Sequence, residues 1–262
     1  MISWDNFNWF AITTLICWSC AFGFLLFSNK IRLGQVLAGL GFVIYGIFIT
    51  LLWINLERPP MRTMGETRLW YSFFLVLVGY ITYVKWRYKW MLSYSLFVAM
   101  IFVVVNILKP EIHSKNLMPA LQSIWFVPHV TAYILSYAIL GAATIVGIRQ
   151  LYHYKENEDA ALIDFTDNLV FVGFGLLMLG MLMGAVWAKA AWGHYWSWDP
   201  KETWAFVTAA TYLFYIHIRW NNKYRKASLW VLILAFTCLM ITWKGVNYLP
   251  SAKNSVHVYG QN

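Results

Sequence analysis

The segment from Ala191 to Phe206 reads AWGHYWSWDPKETWAF and sets Trp192, Tyr195, Trp196, Trp198 and Trp204 beside Asp199, Lys201 and Glu202. Indole and phenol rings bury large flat areas and stack with defined geometry, so several of them on one short segment suit a flat hydrophobic macrocycle. Haem is such a macrocycle, and imidazole suits its iron because each ring offers a lone pair to an axial position. The chain holds six histidines: His113, His129, His153, His194, His217 and His257. No phosphate-cradling glycine loop and no series of nucleophile, base and acid accompanies them.

The elements that must position these groups are apolar. The 262 residues are 60% hydrophobic and 12% charged, whereas soluble domains are roughly half apolar and about 25% charged. Crossing ~30 Å of hydrocarbon at 1.5 Å per residue takes about 20 mostly apolar residues. Runs of this kind occupy Trp9 to Phe27, Leu33 to Asn55, Leu69 to Val84, Met91 to Leu108, Trp125 to Ile148, Leu169 to Ala188, Thr203 to Ile218 and Leu229 to Tyr248. The expected fold is an all-α integral membrane protein of about eight transmembrane helices. It reads as one polytopic domain over residues 1–262, with an external tryptophan-rich loop at about 189–204. The first run is too long, and too poor in flanking positive charge, for a cleaved signal peptide.

Lys and Arg concentrate on the cytoplasmic side of membrane proteins. Lys30, Arg32, Lys85, Arg87, Lys89, Arg149, Lys155, Arg219, Lys223, Arg225 and Lys226 fall densely in one set of loops. That set is therefore the inner one, and both termini and the tryptophan loop face outward. The net charge of +9 is accounted for by loops meeting anionic headgroups, without nucleic acid. Cys17 and Cys20 imitate a thiol redox pair, but they sit inside an apolar span, where ordinary apolar cysteine is the simpler reading. Gly173, Gly175, Gly180 and Gly184 read as helix-packing positions, as do Met178, Met181 and Met183 between them.

Topology sorts the histidines. His129 opens the fifth span and His257 follows the eighth, so both flank the tryptophan loop on one side of the membrane. His217 lies fourteen residues beyond Thr203, ~20 Å inward along a helix. It reads either as a haem ligand in the membrane, with its partner ligand supplied from elsewhere, or as a polar residue leaning toward Arg219. His113 and His153 read as solvated, and His194 as a rim contact or a ligand. Asp199 followed by Pro200 reads as the N-cap of a helix.

The run Trp192 to Trp204, WGHYWSWDPKETW, resembles the tryptophan-rich signature of the haem-handling membrane proteins of cytochrome c maturation. Its continuation, Asp199-Pro200-Lys201-Glu202-Thr203-Trp204, resembles the CcsA/ResC family of the two-component synthase system more than the related CcmC and CcmF proteins. Resemblance extends to Leu117 through Ser123 ahead of His129 and to Gly245 through Leu249 ahead of His257. The family's tail commonly reads His-Ser-Tyr-Gly, where this chain has His257-Val258-Tyr259-Gly260. The resemblance implies transport of haem b and its presentation for covalent attachment to an apocytochrome c bearing Cys-x-x-Cys-His, as one subunit of a cytochrome c haem lyase. It implies His129 and His257 as external axial ligands and His217 as a membrane ligand. Trp192, Tyr195, Trp196, Trp198, Asp199 and Trp204 would form the haem-contacting set. The implied partners are a CcsB/ResB-like membrane subunit, the apocytochrome and thiol-reducing proteins. The expected location is the bacterial cytoplasmic membrane, with a thylakoid membrane as the alternative. Two rival functions remain open, a non-catalytic haem exporter and a b-type membrane cytochrome.

Overall fold

The computed structural model describes residues 2–28, 30–110, 123–153 and 160–250. Among these residues every regular element is helical. Helices α1 (Phe7–Phe27), α2 (Ile31–Leu56), α3 (Met64–Trp86) and α4 (Lys89–Leu108) lie in one compact unit, Met1–Gln122. Helices α5 (Phe126–Tyr152), α6 (Ala160–Trp192), α7 (Pro200–Arg219) and α8 (Arg225–Trp243) lie in a second, Ser123–Asn262. Seven of the helices are long and apolar enough to cross a membrane. The exception is α7, made more polar by Lys201 and Glu202 in its first turn and His217 and Arg219 in its last. The protein is a multi-pass membrane protein.

Two boundaries differ instructively from the expected spans. Helix α6 runs well past Leu169 and Ala188 at both ends, taking in Asp164 and Asp167 near its start and Lys189 in its last turn. The eighth span ends as α-helix at Trp243, and Gly245–Tyr248 forms a 3-10 turn instead.

In a bilayer the hydrophobic effect does not drive helix against helix, so association rests on close backbone approach and on hydrogen bonds. The first unit uses both. A Cβ added at Gly41 would lie 2.6 Å from the Trp18 ring, and one at Gly79 would lie 2.6 Å from Cβ of Ser95. These glycines let α1 close on α2 and α3 on α4, and α1 also packs on α4. The Trp18 indole N–H donates to the Ala38 carbonyl at 3.3 Å, and the Asn106 amide donates to the Gly65 carbonyl at 3.1 Å. The second unit pairs α5 with α6, α7 with α8 and α5 with α8. Gly147 of α5 faces Leu232 of α8, while Gly173 and Gly180 of α6 face Leu140 and Tyr133 of α5. By contrast, Gly175 faces open space. Ser136 donates to the Gly173 carbonyl at 2.7 Å. Near the far end of α7, Asp167 of α6 accepts from the Tyr215 hydroxyl at 3.0 Å and pairs with the Arg219 guanidinium at 3.2 Å. Cys17 is buried, Cys20 is exposed, and all three cysteines are free thiols.

The turn between α2 and α3 is closed by one carboxylate. Glu66 is 1% exposed and pairs bidentately with the Arg58 guanidinium, at 2.8 and 3.1 Å. It also accepts the backbone N–H of Arg62 at 2.6 Å and of Thr63 at 3.1 Å, while Thr63 Oγ1 accepts the Glu66 N–H. This is a capping box with a guanidinium added, and it satisfies the donors that a helix start leaves open. Replacing Glu66 with Ala leaves Arg58 as a partly buried cation without its carboxylate. We expect a loss of about 3 kcal/mol, the low end for breaking such a pair because Arg58 keeps some solvent. Thr63→Val is expected to cost about 1 kcal/mol. Denaturant unfolding in detergent, followed by circular dichroism, checks both values and their order.

Candidate functional site

Helix α6 carries the chain to Trp192 and stops at Gly193, whose φ of +88° is a left-handed helix end that glycine adopts without strain. Lys189 donates to the Gly193 carbonyl at 2.7 Å and lies over the Tyr195 ring. The non-helical part of the aromatic segment is therefore only Gly193 to Asp199. Trp192 stands on the last turn of α6, and Trp204 near the start of α7.

Asp199 is the N-cap of α7, as its sequence suggests. Its carboxylate accepts the Lys201 N–H at 2.8 Å, and Pro200 follows in the first turn. Glu202 completes the arrangement from the other side. Its Oε2 accepts the backbone N–H of Ser197 at 2.7 Å, the Ser197 hydroxyl at 3.2 Å and the Asp199 N–H at 3.2 Å. Trp198, between those two residues, has φ +58°, a left-handed conformation that costs a non-glycine residue roughly 1 kcal/mol or more. Thr203 Oγ1 donates to the Trp198 carbonyl at 3.1 Å. Three points of the chain around Trp198 are thus held by two neighbouring side chains of α7. The strained residue is fixed in place while 62% exposed. Its ring meets Trp196 edge-on at 5.8 Å and Phe206 at 5.7 Å. The Trp196 indole N–H is buried without a hydrogen-bond partner. Burial pushes the Lys201 ammonium down to about 8, against a smaller opposing pull from Asp199.

His129 belongs to a second aromatic group, at the start of α5. Its ring lies on α6 at Gly180 and Gly184, where a Cβ on residue 184 would be 2.6 Å from Cε1. Nδ1 donates to the Gly180 carbonyl at 2.8 Å, since a carbonyl only accepts. In the neutral ring this places the lone pair on Nε2, the usual way a protein orients an imidazole for a metal. The Trp187 ring stacks on it at 5.6 Å and 24°, and Tyr133 meets it edge-on at 4.7 Å. Trp187 in turn contacts Phe126 at 5.2 Å and Trp192 at 4.8 Å. His129 is thereby linked, ring by ring, to the first tryptophan of the signature.

His217 is not brought to this group. It stands seventeen residues beyond Pro200, about 25 Å along α7. Its Nδ1 donates to the Leu213 carbonyl one turn back at 2.7 Å, again leaving Nε2 as the basic nitrogen. Arg219 is buried and pairs with Asp167, whereas His217 is exposed. His217 shares the outward face of α7 with Leu213, Phe214 and Trp220, all exposed. His194 is exposed in the loop and His153 ends α5. His113 and His257 lie outside the described residues. Among the described residues no three His, Cys, Asp or Glu side chains gather as a free-metal site.

Sequence reasoning missed five residues here. Glu202 was legible as the N3 partner in an Asp-x-x-Glu capping box, and Thr203 follows from it. Trp187, Phe206 and Gly184 carry no local signal, because within an apolar run they read as span and packing.

A family model described as cytochrome C assembly protein matches residues 2–252 of this chain. Proteins named cytochrome c biogenesis protein CcsA are similar over most of their length. The one from Lactuca sativa is 32% identical over 82% of this chain and 81% of its own, and that from Nicotiana tomentosiformis 31% over 84% and 82%. A third, from Mesostigma viride, is 27% identical over 97% of this chain and 94% of its own. The chain belongs to the cytochrome c assembly protein family.

Proposed function

We propose that this chain brings haem b to the outer face of the membrane and presents it for covalent attachment to an apocytochrome c, as one subunit of a cytochrome c haem lyase. The observation that carries this reading is His129: an imidazole fixed by its Nδ1–H bond to Gly180, walled by Trp187 and connected to Trp192, in a member of the cytochrome c assembly family. The surrounding residues fit a porphyrin. The rings of Trp196 and Trp198 offer apolar area, the unpaired Trp196 N–H is a donor awaiting an acceptor, and Lys201 is a partly desolvated cation close to the same loop. The propionates of haem supply both an acceptor and an anion.

Bound haem contributes two vinyl groups, across which apocytochrome thiols add: each sulfur bonds one vinyl carbon, its hydrogen goes to the other, and no net oxidant is consumed. The protein contributes geometry. His129 and His257 would hold the iron, Trp192, Tyr195, Trp196, Trp198 and Trp204 would line the macrocycle, and Asp199 orders the loop by capping α7. Holding reactants in a productive geometry removes several kcal/mol of barrier, with an upper range of about 7 to 11. His217, exposed on α7, would serve as a membrane ligand, with the second ligand supplied by a CcsB/ResB-like membrane subunit, and thiol-reducing proteins would keep the apocytochrome cysteines reduced. Both chain termini face outward, in a bacterial cytoplasmic membrane or in a thylakoid. A b-type cytochrome needs facing histidine pairs within the bilayer, whereas His129 opens α5 and His217 stands in the last turn of α7.

Replacing His129 or His257 with Gly is expected to abolish haem attachment to a reporter apocytochrome, with partial recovery on adding imidazole. Normal haem spectra together with failed recovery would count against axial ligation. The Lys201 charge sets a pH dependence. Its cation is present below about pH 8 and lost above, so haem retention is expected to weaken as pH rises through 8, and Lys201→Gln to flatten that profile. Identical profiles would remove Lys201 from the site.

A further inference from the structure

The two compact units repeat one design. In each, the first helix packs on the second, the third on the fourth and the first on the fourth. The second helix ends at Leu56 in one and Trp192 in the other, and a left-handed residue follows, Glu57 or Gly193. A turn of equal length leads to a capping box, Thr63 with Glu66 or Asp199 with Glu202, and then to Thr67 or Thr203. Asp199 stands 136 positions after Thr63, and the same offset matches buried positions along the helices that follow. Glu66, Ser72, Val76 and Tyr83 of α3 correspond to Glu202, Thr208, Tyr212 and Arg219 of α7, all buried. Ser93, Leu96 and Ala99 of α4 correspond to Leu229, Leu232 and Ala235 of α8, again all buried. Loop length and burial register thus agree between the two units.

At one position the two units exchange large and small residues. Trp18 meets Gly41 and Leu25 approaches Gly34, so seven residues further toward the loop Ala11 of α1 comes opposite Phe48 of α2. Phe48 lies eight residues before the end of its helix, as Gly184 does in α6. Phe48 is fully buried, 5.2 Å from Phe7, 5.4 Å from Phe10 and 5.9 Å from Trp4. In the second unit the sizes are reversed: glycine stands on α6 and His129 on α5 fills the space.

We propose that the chain is an internal duplication of a four-helix unit, and that Gly184 is a positioning residue which admits the His129 ring where the first copy is closed by Phe48. The inference rests on the reading of His129 as an iron ligand for its functional meaning, though not for its packing. Features common to both units, the capping carboxylate above all, are scaffold. Features on one side only, such as His129, Gly184 and Trp198, are the specialisation of the second copy.

The test uses the full chain in nanodiscs, with thermal unfolding and the haem absorption spectrum as separate readouts. Gly184→Phe is expected to lower the unfolding midpoint by roughly 5 °C or more through overpacking. The double variant His129→Ala with Gly184→Phe, which copies the Ala11 and Phe48 pair, is expected to recover most of that loss. A tolerated Gly184→Phe, or a double variant no better than the single, would overturn the proposal. In the spectrum, Gly184→Ala is expected to shift or weaken the low-spin bands as His129→Gly does, while Phe48→Ala leaves them unchanged. An unaltered spectrum in Gly184→Ala, with His129→Gly still losing the bands, overturns the positioning role and spares the ligand. If His129→Gly itself is spectrally silent while the unfolding pattern holds, the iron reading falls and the duplication stands.

Discussion

A backbone that stops being helical near a membrane has to satisfy its own polar groups, because hydrocarbon supplies no partners. At the turn before the third helix of each unit that demand falls on a capping box, whose central carboxylate is Glu66 in the first and Glu202, joined by Asp199, in the second. Each collects the N–H groups of the turn before the third helix and fixes the turn's shape. Glu66 does so with help from Arg58, giving a closed turn that contains Pro59 and Pro60. Glu202 does so through Ser197 and Asp199, on either side of Trp198. The result is a tryptophan held in a conformation it would not choose, with its face turned outward. The aromatic platform depends on that clamp.

The imidazole of His129 is constrained differently. Its orientation comes from a carbonyl one helix away and from the absence of a side chain at residue 184, while Trp187 covers one ring face. Helix packing and ligand placement are here the same contact. A glycine that reads as a packing position in any membrane helix here leaves the space that the histidine ring occupies.

Much of the fold was legible because hydrophobic runs in a membrane protein are long and few alternatives satisfy the backbone. The Asp199 cap was legible too, since capping is local chemistry. The aromatic loop announced itself by composition. What escaped were contacts fixed by the register between helices: Trp187 against His129, Gly184 beneath it, and the matched positions of α3 and α7. Such register depends on which residues permit close approach, and no single run of sequence carries that information. The exposure of His217 beside a buried Arg219 is likewise a matter of helix rotation, which no local sequence signal records.

The central claim is that His129 holds the iron of a porphyrin beside the tryptophan loop, through Nε2. An electron cryomicroscopy structure of the haem-loaded protein tests this most directly. The account predicts a macrocycle against the rings of the Trp192 to Trp204 segment, with iron bonded to His129 Nε2 while Nδ1 still meets the Gly180 carbonyl. Haem bound elsewhere, or bound in the loop with His129 remaining packed and unligated, would contradict it.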